Sequence, residues 1–292
     1  MKKKSIYLFV FFALLALKNY SQSYYELSVD NDLYFQTDQY YSSGILISYG
    51  KKIENKVNHW RLGQDIYHPS RRYTSDISKM DYPYSGWLFL QNEREVFLSE
   101  NSSYSWGLEI GVTGDASLAQ TFQNFYHKTF LNLPELSWVG AQPQSLQFGV
   151  FGQINKGKSL SDYFHITSQL YSKISSYRIL FTGRIGVLIG VGNKMPFQKV
   201  SFSKHESSGG IYFGTRQQYI PHDFALSGNL YDFAPREKTY KNNVYRNNFE
   251  FGFFSQKNKW TFLMLYQSMS KDTPGQRLNR HQVLNITIRN KF

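Results

Sequence analysis

Cysteine is absent from this 292-residue chain, so hydrogen bonding and burial must hold it together without disulfides. Long apolar runs are nearly absent too. The one run, Ile6 to Leu17, follows Met1-Lys2-Lys3-Lys4 and leads into polar Ser21-Gln22-Ser23. A basic start, a short apolar core and a polar exit describe a secretory signal peptide, expected over residues 1–22. No later segment approaches the roughly 20 apolar residues that a spanning helix needs. The chain is therefore expected to be exported, and any membrane span must be built from strands. Acidic residues are in deficit: 33 Lys and Arg face 21 Asp and Glu, a net charge of +12. Loss of Lys2, Lys3, Lys4 and Lys18 with the leader leaves +8. A basic exported protein suggests an anionic partner such as lipid phosphate, while charge alone leaves nucleic acid open. Also missing are an EF-hand spacing, a His-x-x-x-His pair, a Gly-x-Ser-x-Gly elbow and a phosphate-binding glycine loop.

Aromatic residues, by contrast, are abundant. The chain holds 23 Tyr and 24 Phe, yet its mean hydropathy is −0.46. Rings on a lipid face with polar groups inside a barrel reconcile those two facts. The periodicity agrees. In Tyr104-Ser105-Trp106-Gly107-Leu108-Glu109-Ile110-Gly111-Val112 every even position is large and apolar, and every odd one is Ser, Gly or Glu. Phe181, Ile185, Val187 and Ile189 alternate with Thr182, Arg184, Gly186 and Gly190 in the same way. A soluble β-sandwich is the alternative, disfavoured by Arg184, Glu109 and Gln147 on the second face. Twelve strands are expected, at 24–31, 41–53, 57–65, 85–99, 102–112, 144–155, 158–173, 178–190, 208–220, 240–254, 258–269 and 280–292. The fold class is thus all-β, a twelve-stranded antiparallel transmembrane barrel over 23–292. Both ends lie on the periplasmic side, and the terminal Phe292 is the usual end of such a barrel.

Threading those strands makes Asn101-Ser102-Ser103 and Asn155-Lys156-Gly157-Lys158 tight periplasmic turns. The long connections 32–40, 66–84, 113–143 and 221–239 fall outside. Residues 191–207 break the rule, being long yet periplasmic. One helix is expected in an outer loop, over Ser117–Leu131, with Ser117 as cap and Leu118, Phe122, Phe125 and Thr129 as its apolar stripe. Gln123 and His127, four apart, share a face beside that stripe.

His127 is the candidate general base, because neutral imidazole titrates near physiological pH. A surface histidine with no task is the plainer reading. Asn31 and Asp32 close the first strand at the outer rim, where turn chemistry alone would explain them. Ser42 begins the next strand on its inward face and should approach both. Leu33 to Gln39 reads as a plain connection. Arg71, Arg72 and Lys79 lie in the second outer loop at headgroup height, as phosphate ligands or as a solvated loop.

Together these segments resemble the outer-membrane lipid A 3'-O-deacylase family. The resemblance is carried by Val29-Asp30-Asn31-Asp32, Tyr40-Tyr41-Ser42-Ser43-Gly44 and Gly63-Gln64-Asp65-Ile66-Tyr67 with Pro69-Ser70. It continues through Asp81-Tyr82-Pro83-Tyr84-Ser85-Gly86-Trp87-Leu88, Gly111-Val112-Thr113-Gly114, and Gln123-Asn124 with His127. The second half matches mainly in strand rhythm, with Leu226-Ser227-Gly228-Asn229 and Phe292. The resemblance implies hydrolysis of the 3'-linked acyloxyacyl ester of lipid A, using Ca²⁺, at a site between the barrel wall and an outer-loop helix. It implies that Asn31, Asp32, Ser42, Gln123 and His127 occupy the site, with His127 activating water and Ca²⁺ held near Asp32. It also implies lipopolysaccharide as substrate, no nucleic-acid partner and a monomer. Ser42 stands where the family often has Thr, and Tyr82 where it often has Arg; Glu135 receives no role. Two other readings stay open: a non-enzymatic barrel, such as a small channel or surface-interaction protein, and a phospholipase-like esterase of the same fold.

Overall fold

A computed structural model describes residues 22–35, 38–198, 200, 202, 207–230, 238 and 240–292. The expected signal peptide, apart from Gln22, and His205 lie outside the described residues. Twelve antiparallel strands close into one barrel, β1 pairing with both β2 and β12. They are β1 Ser23–Asn31, β2 Tyr40–Ile53, β3 Lys56–His68, β4 Ser85–Ser99, β5 Ser102–Thr113 and β6 Leu146–Ser159. They continue as β7 Phe164–Ser175, β8 Arg178–Val191, β9 Ser207–Asp223, β10 Tyr245–Lys257, β11 Trp260–Ser270 and β12 Arg280–Lys291. No helix among the described residues is long and apolar enough to cross a membrane.

Alternation decides which side chain goes where. Along β5 the pattern runs strictly, with Trp106, Leu108 and Ile110 exposed outward and Ser105 and Glu109 buried inward. Outward rings occur along the whole wall. Tyr25 stacks on Phe292 at 5.2 Å at the end that holds the start of β1 and the end of β12, Phe213 meets Phe251 at 5.0 Å in mid-strand, and Tyr219 meets Tyr245 at 5.2 Å at the other end.

Two expected connections differ. Asn155-Lys156-Gly157-Lys158 is not a turn but part of β6; the chain turns at 160–163 instead. Gly157 there leaves room for Met195: a Cβ would stand 3.1 Å from the Met195 Cγ, so that side chain would have to shift. Met195 belongs to the long connection after β8, whose described residues fold inward. Arg184 Nη1 donates to the Phe197 carbonyl at 3.0 Å, and Gln198 Nε2 donates to Thr167 Oγ1 at 2.8 Å. Pro196, Phe197, Gln198 and Val200 thereby line the lumen, a cavity of about 470 Å³. At the outer mouth Tyr40, Tyr67, Tyr82, Trp87, Tyr177 and Phe224 form a buried aromatic cluster.

A candidate active site on the outer wall of the barrel

The outer rim between β1, β2 and β3 carries a roofed cleft of about 110 Å³. Strand alternation places its floor. Along β1, Glu26, Ser28 and Asp30 face the lumen, while Val29 and Asn31 face outward into the cleft. Ser42 would share the inward face of Gly44, as the sequence suggested, if β2 were regular. It does not, because the β2–β3 register slips between Tyr41 and Ser43. That bulge inserts one residue and turns Ser42 onto the outer face beside Ser43. Tyr41, before the bulge, still faces the lumen and donates to Asp30 Oδ2 at 2.6 Å.

The roof is α1, Ala119–Tyr126, continued by a π-helical turn, His127–Leu131. Ser117 is not the capping residue: Leu118 is, in a left-handed conformation at φ 58°. Ser117 Oγ instead donates to the Gly114 carbonyl at 2.6 Å. The helix is amphipathic in the sense a lipid surface requires. Leu118, Phe122, Phe125 and Phe130 are exposed, while Ala119, Gln123 and His127 are buried against the barrel. Contact with the wall is possible because β4 offers Gly86; a Cβ there would stand 2.3 Å from that of Ala119. Ile66, Met80, Tyr84, Ala119, Leu136 and Trp138 then pack as one apolar cluster under the loop. His127 sits where the α-helix loosens into the π turn, a place where helices often carry function.

The cleft thus joins four of the five expected residues, Asn31, Ser42, Gln123 and His127. Gln123 Oε1 and His127 Nδ1 are buried and accept no hydrogen bond. Asn31 Oδ1 takes the Leu33 amide at 2.6 Å, and Ser42 Oγ donates weakly to the Ile66 carbonyl at 3.5 Å. Asp32, the fifth, does not line the cleft. It is buried behind it, where Oδ2 accepts the Gln39 amide at 2.7 Å and lies 3.7 Å from His281 Nε2. The carboxylate that does line the cleft is Asp38, from the stretch read as a plain connection.

Three basic side chains face Asp38. His68 Nε2 lies 3.1 Å from Oδ1, Arg72 Nη1 2.6 Å from Oδ2, and His127 Nε2 3.8 Å from Oδ2. Burial alone would raise the Asp38 carboxyl, but the His68 hydrogen bond and the charges of His68, Arg72 and His127 hold it below its ordinary value. For His127 burial dominates and lowers the imidazole, against the opposing pull of Asp38. The ring is therefore a free base at neutral pH. Of the three expected phosphate ligands, Arg72 is spent on Asp38. Arg71 is exposed, and Lys79 is exposed and paired with Asp76 at 2.9 Å; neither lines the cleft.

The donor chemistry suits a hard cation such as Ca²⁺, which prefers oxygen. Asn31, Ser42 and Gln123 would hold it, and the unpartnered Gln123 Oε1 is the observation in favour. Asp32, whose Oδ2 holds the Gln39 amide, lies outside the cleft and is not among these oxygens. Among the described residues no three His, Cys, Asp or Glu side chains group to hold a metal, so such a site would rest on amide and hydroxyl oxygens.

The family described as outer membrane protein LpxR matches residues 5–138, the span that supplies every residue of the cleft. Over that span the chain resembles the family. Among solved structures, LpxR from Salmonella typhimurium superposes with a TM-score of 0.79 at 14% identity, over 92% of this chain and 100% of that one. The β-domain of the Bordetella autotransporter BrkA overlaps at a TM-score of 0.46 and 10% identity, over 93% of this chain and 98% of its own. No curated protein matches the sequence. The likeness in fold runs the length of the barrel, and the cleft opens on the barrel's outer wall.

Proposed function

We propose that this protein hydrolyses an acyl ester of lipid A in the outer leaflet of the outer membrane. The observation that carries the reading is the position of His127: an imidazole with a lowered pKa and an unpartnered Nδ1, held against the outer barrel wall with Asn31, Ser42 and Gln123. A lipid ester in the leaflet can enter such a cleft sideways, its acyl chains lying along Phe122, Phe125 and Phe130.

His127 takes a proton from water as the oxygen attacks the ester carbonyl. Collapse of the tetrahedral species breaks the bond to the sugar oxygen. That oxygen recovers the proton from His127, leaving a free fatty acid and a lipid alcohol. Asn31 and Gln123 orient the carbonyl and the water. Ca²⁺, when bound, polarises the carbonyl and offsets charge on the oxyanion. Restriction to the 3' acyloxyacyl chain, and action as a monomer with one complete cleft per chain, belong to the same proposal.

A channel is the weaker reading. The lumen is bridged by ion pairs such as Arg184 with Glu250 at 2.6 Å, and is filled from below by Pro196, Phe197, Gln198 and Val200. Mass spectrometry of lipid A from cells making the protein is the test. Loss of one acyloxyacyl chain is expected, abolished by His127→Ala and by a calcium chelator. Unchanged lipid A would end the reading, and loss of phospholipid chains alone would move the substrate to phospholipid. Activity that survives chelation would remove the metal.

A further inference from the structure

The cleft contains a carboxylate that the expected site does not use. We propose that Asp38 is the positioning residue for His127: its Oδ2 holds the ring proton on Nε2 and leaves the Nδ1 lone pair for the substrate water. This rests on His127 as the base of the proposed reaction.

Three observations converge. First, the two oxygens of Asp38 are used differently. Oδ1 is engaged by His68 Nε2 at 3.1 Å, and His68 Nδ1 is itself fixed on the Pro69 carbonyl at 3.0 Å. Oδ2 is ion-paired with Arg72 Nη1 at 2.6 Å, and the same nitrogen donates to the backbone carbonyl of Asp38 at 2.8 Å. A carboxylate oxygen accepts at two lone pairs, so Oδ2 keeps one for a second donor. Second, the ring nitrogen facing that oxygen is His127 Nε2, at 3.8 Å, while Nδ1 has no partner at all. A separation of 3.8 Å is too long for a hydrogen bond but normal for a catalytic pair without substrate, which tightens as the reaction proceeds. Third, the backbone goes to some cost to put Asp38 there. Asp38 and Tyr40 are both left-handed, at φ 40° and 62°, and the Gln39 amide between them is clamped by Asp32 Oδ2 at 2.7 Å. Left-handed geometry is unfavourable for a ring as bulky as Tyr and persists only when its surroundings impose it. The buried Asp32 thereby acts on His127 indirectly, by bracing the loop that carries Asp38. Glu135, the nearest acid downstream of the histidine in sequence, is exposed and faces Lys128 at 3.9 Å, so it does not fill this role.

A carboxylate on one imidazole nitrogen does two things. It selects the tautomer whose other nitrogen is basic, and it stabilises the imidazolium formed when that nitrogen takes a proton. Neither requires contact with the substrate.

The test uses the full chain in detergent micelles with ¹⁵N-labelled histidine, the His127 signals being assigned by their loss in His127→Gln. In the native protein the proton should reside on Nε2. Asp38→Asn keeps the size of the side chain but can present an amide N–H to the ring, so it should shift the proton towards Nδ1. With lipid A, the same variant should lose on the order of 10²–10⁴-fold in kcat with KM changed by less than about threefold. Heat-modifiable gel mobility verifies that the barrel has formed. A native His127 protonated on Nδ1 overturns the proposal, whatever becomes of the variant. So does a variant in which KM rises and kcat holds, because Asp38 would then only shape the cleft. The tautomer measurement needs no substrate. If native protein leaves lipid A intact while His127 carries its proton on Nε2 only when Asp38 is present, the deacylase reading fails and the positioning by Asp38 stands.

Discussion

The lumen and the outer cleft are built from the same kinds of residue and treat them in opposite ways. In the lumen, carboxylates are held by partners: Glu250 by Arg184 and Arg216, Asp223 by Arg178 and Arg246, Glu26 by Arg289, Glu109 by Lys173, and Asp30 by hydrogen bonds from Tyr41 and Asn285. In the cleft, Asp38 is matched by Arg72, but Gln123 Oε1 and His127 Nδ1 are buried without a partner. An unpaired buried polar atom costs roughly 1–3 kcal/mol, so two in one small cleft are not there for stability. The contrast separates a region that holds the barrel shut from one that keeps partners waiting.

The sharpest break in that contrast is His127→Ala. It should lower kcat on lipid A by roughly 10²–10⁴-fold while leaving the barrel folded, as judged by gel mobility. A matching loss of folding would place His127 with the structural residues. The same base sets the pH profile. Its pKa is lowered, so the neutral form persists through neutral pH and is lost only as pH falls through the lowered value. Activity should therefore be flat around pH 7 and drop on the acid side, and a profile rising steeply above pH 7 would name another base. Removing one lumen partner should do the reverse. Glu250→Leu leaves the buried Arg184 and the half-buried Arg216 without their carboxylate and should cost about 3–5 kcal/mol of stability, read by urea unfolding, with kcat intact. Gln123→Leu should cost about tenfold in kcat/KM, the worth of one lost hydrogen bond to the reacting groups. Least affected should be Arg71→Ala and Lys79→Ala, a rise in KM of under about threefold, since exposed charges contribute little.

Much of the barrel was legible because a two-residue period needs only neighbouring residues to read. The aromatic excess, the twelve strands and the outer loops all follow from it. Its failure at Asn155-Lys156-Gly157-Lys158 has a physical reason: Gly157 is a turn former in isolation, but here it makes room for Met195, which arrives from a connection some forty residues on. Asn31, Ser42, Gln123 and His127 were legible through the family resemblance. Their faces were not. Nothing local marks Ser42 as a bulge residue, because a bulge is a property of two strands paired together. Asp38 was passed over for the same reason; in sequence it is one polar residue of a short connection.

By itself, then, the sequence determined that the chain is a barrel with a helix on its outer side, since alternation and composition act locally and are repeated along its length. The tertiary structure alone decided that the cleft lies on the outer wall of the barrel, that Asp38 rather than Asp32 faces His127, and that Arg72 serves that carboxylate. Each of these depends on the slip of one residue between β2 and β3 and on a helix nearly ninety residues away closing over the result. No period within the chain encodes such a meeting, because it arises only when distant surfaces are pressed together.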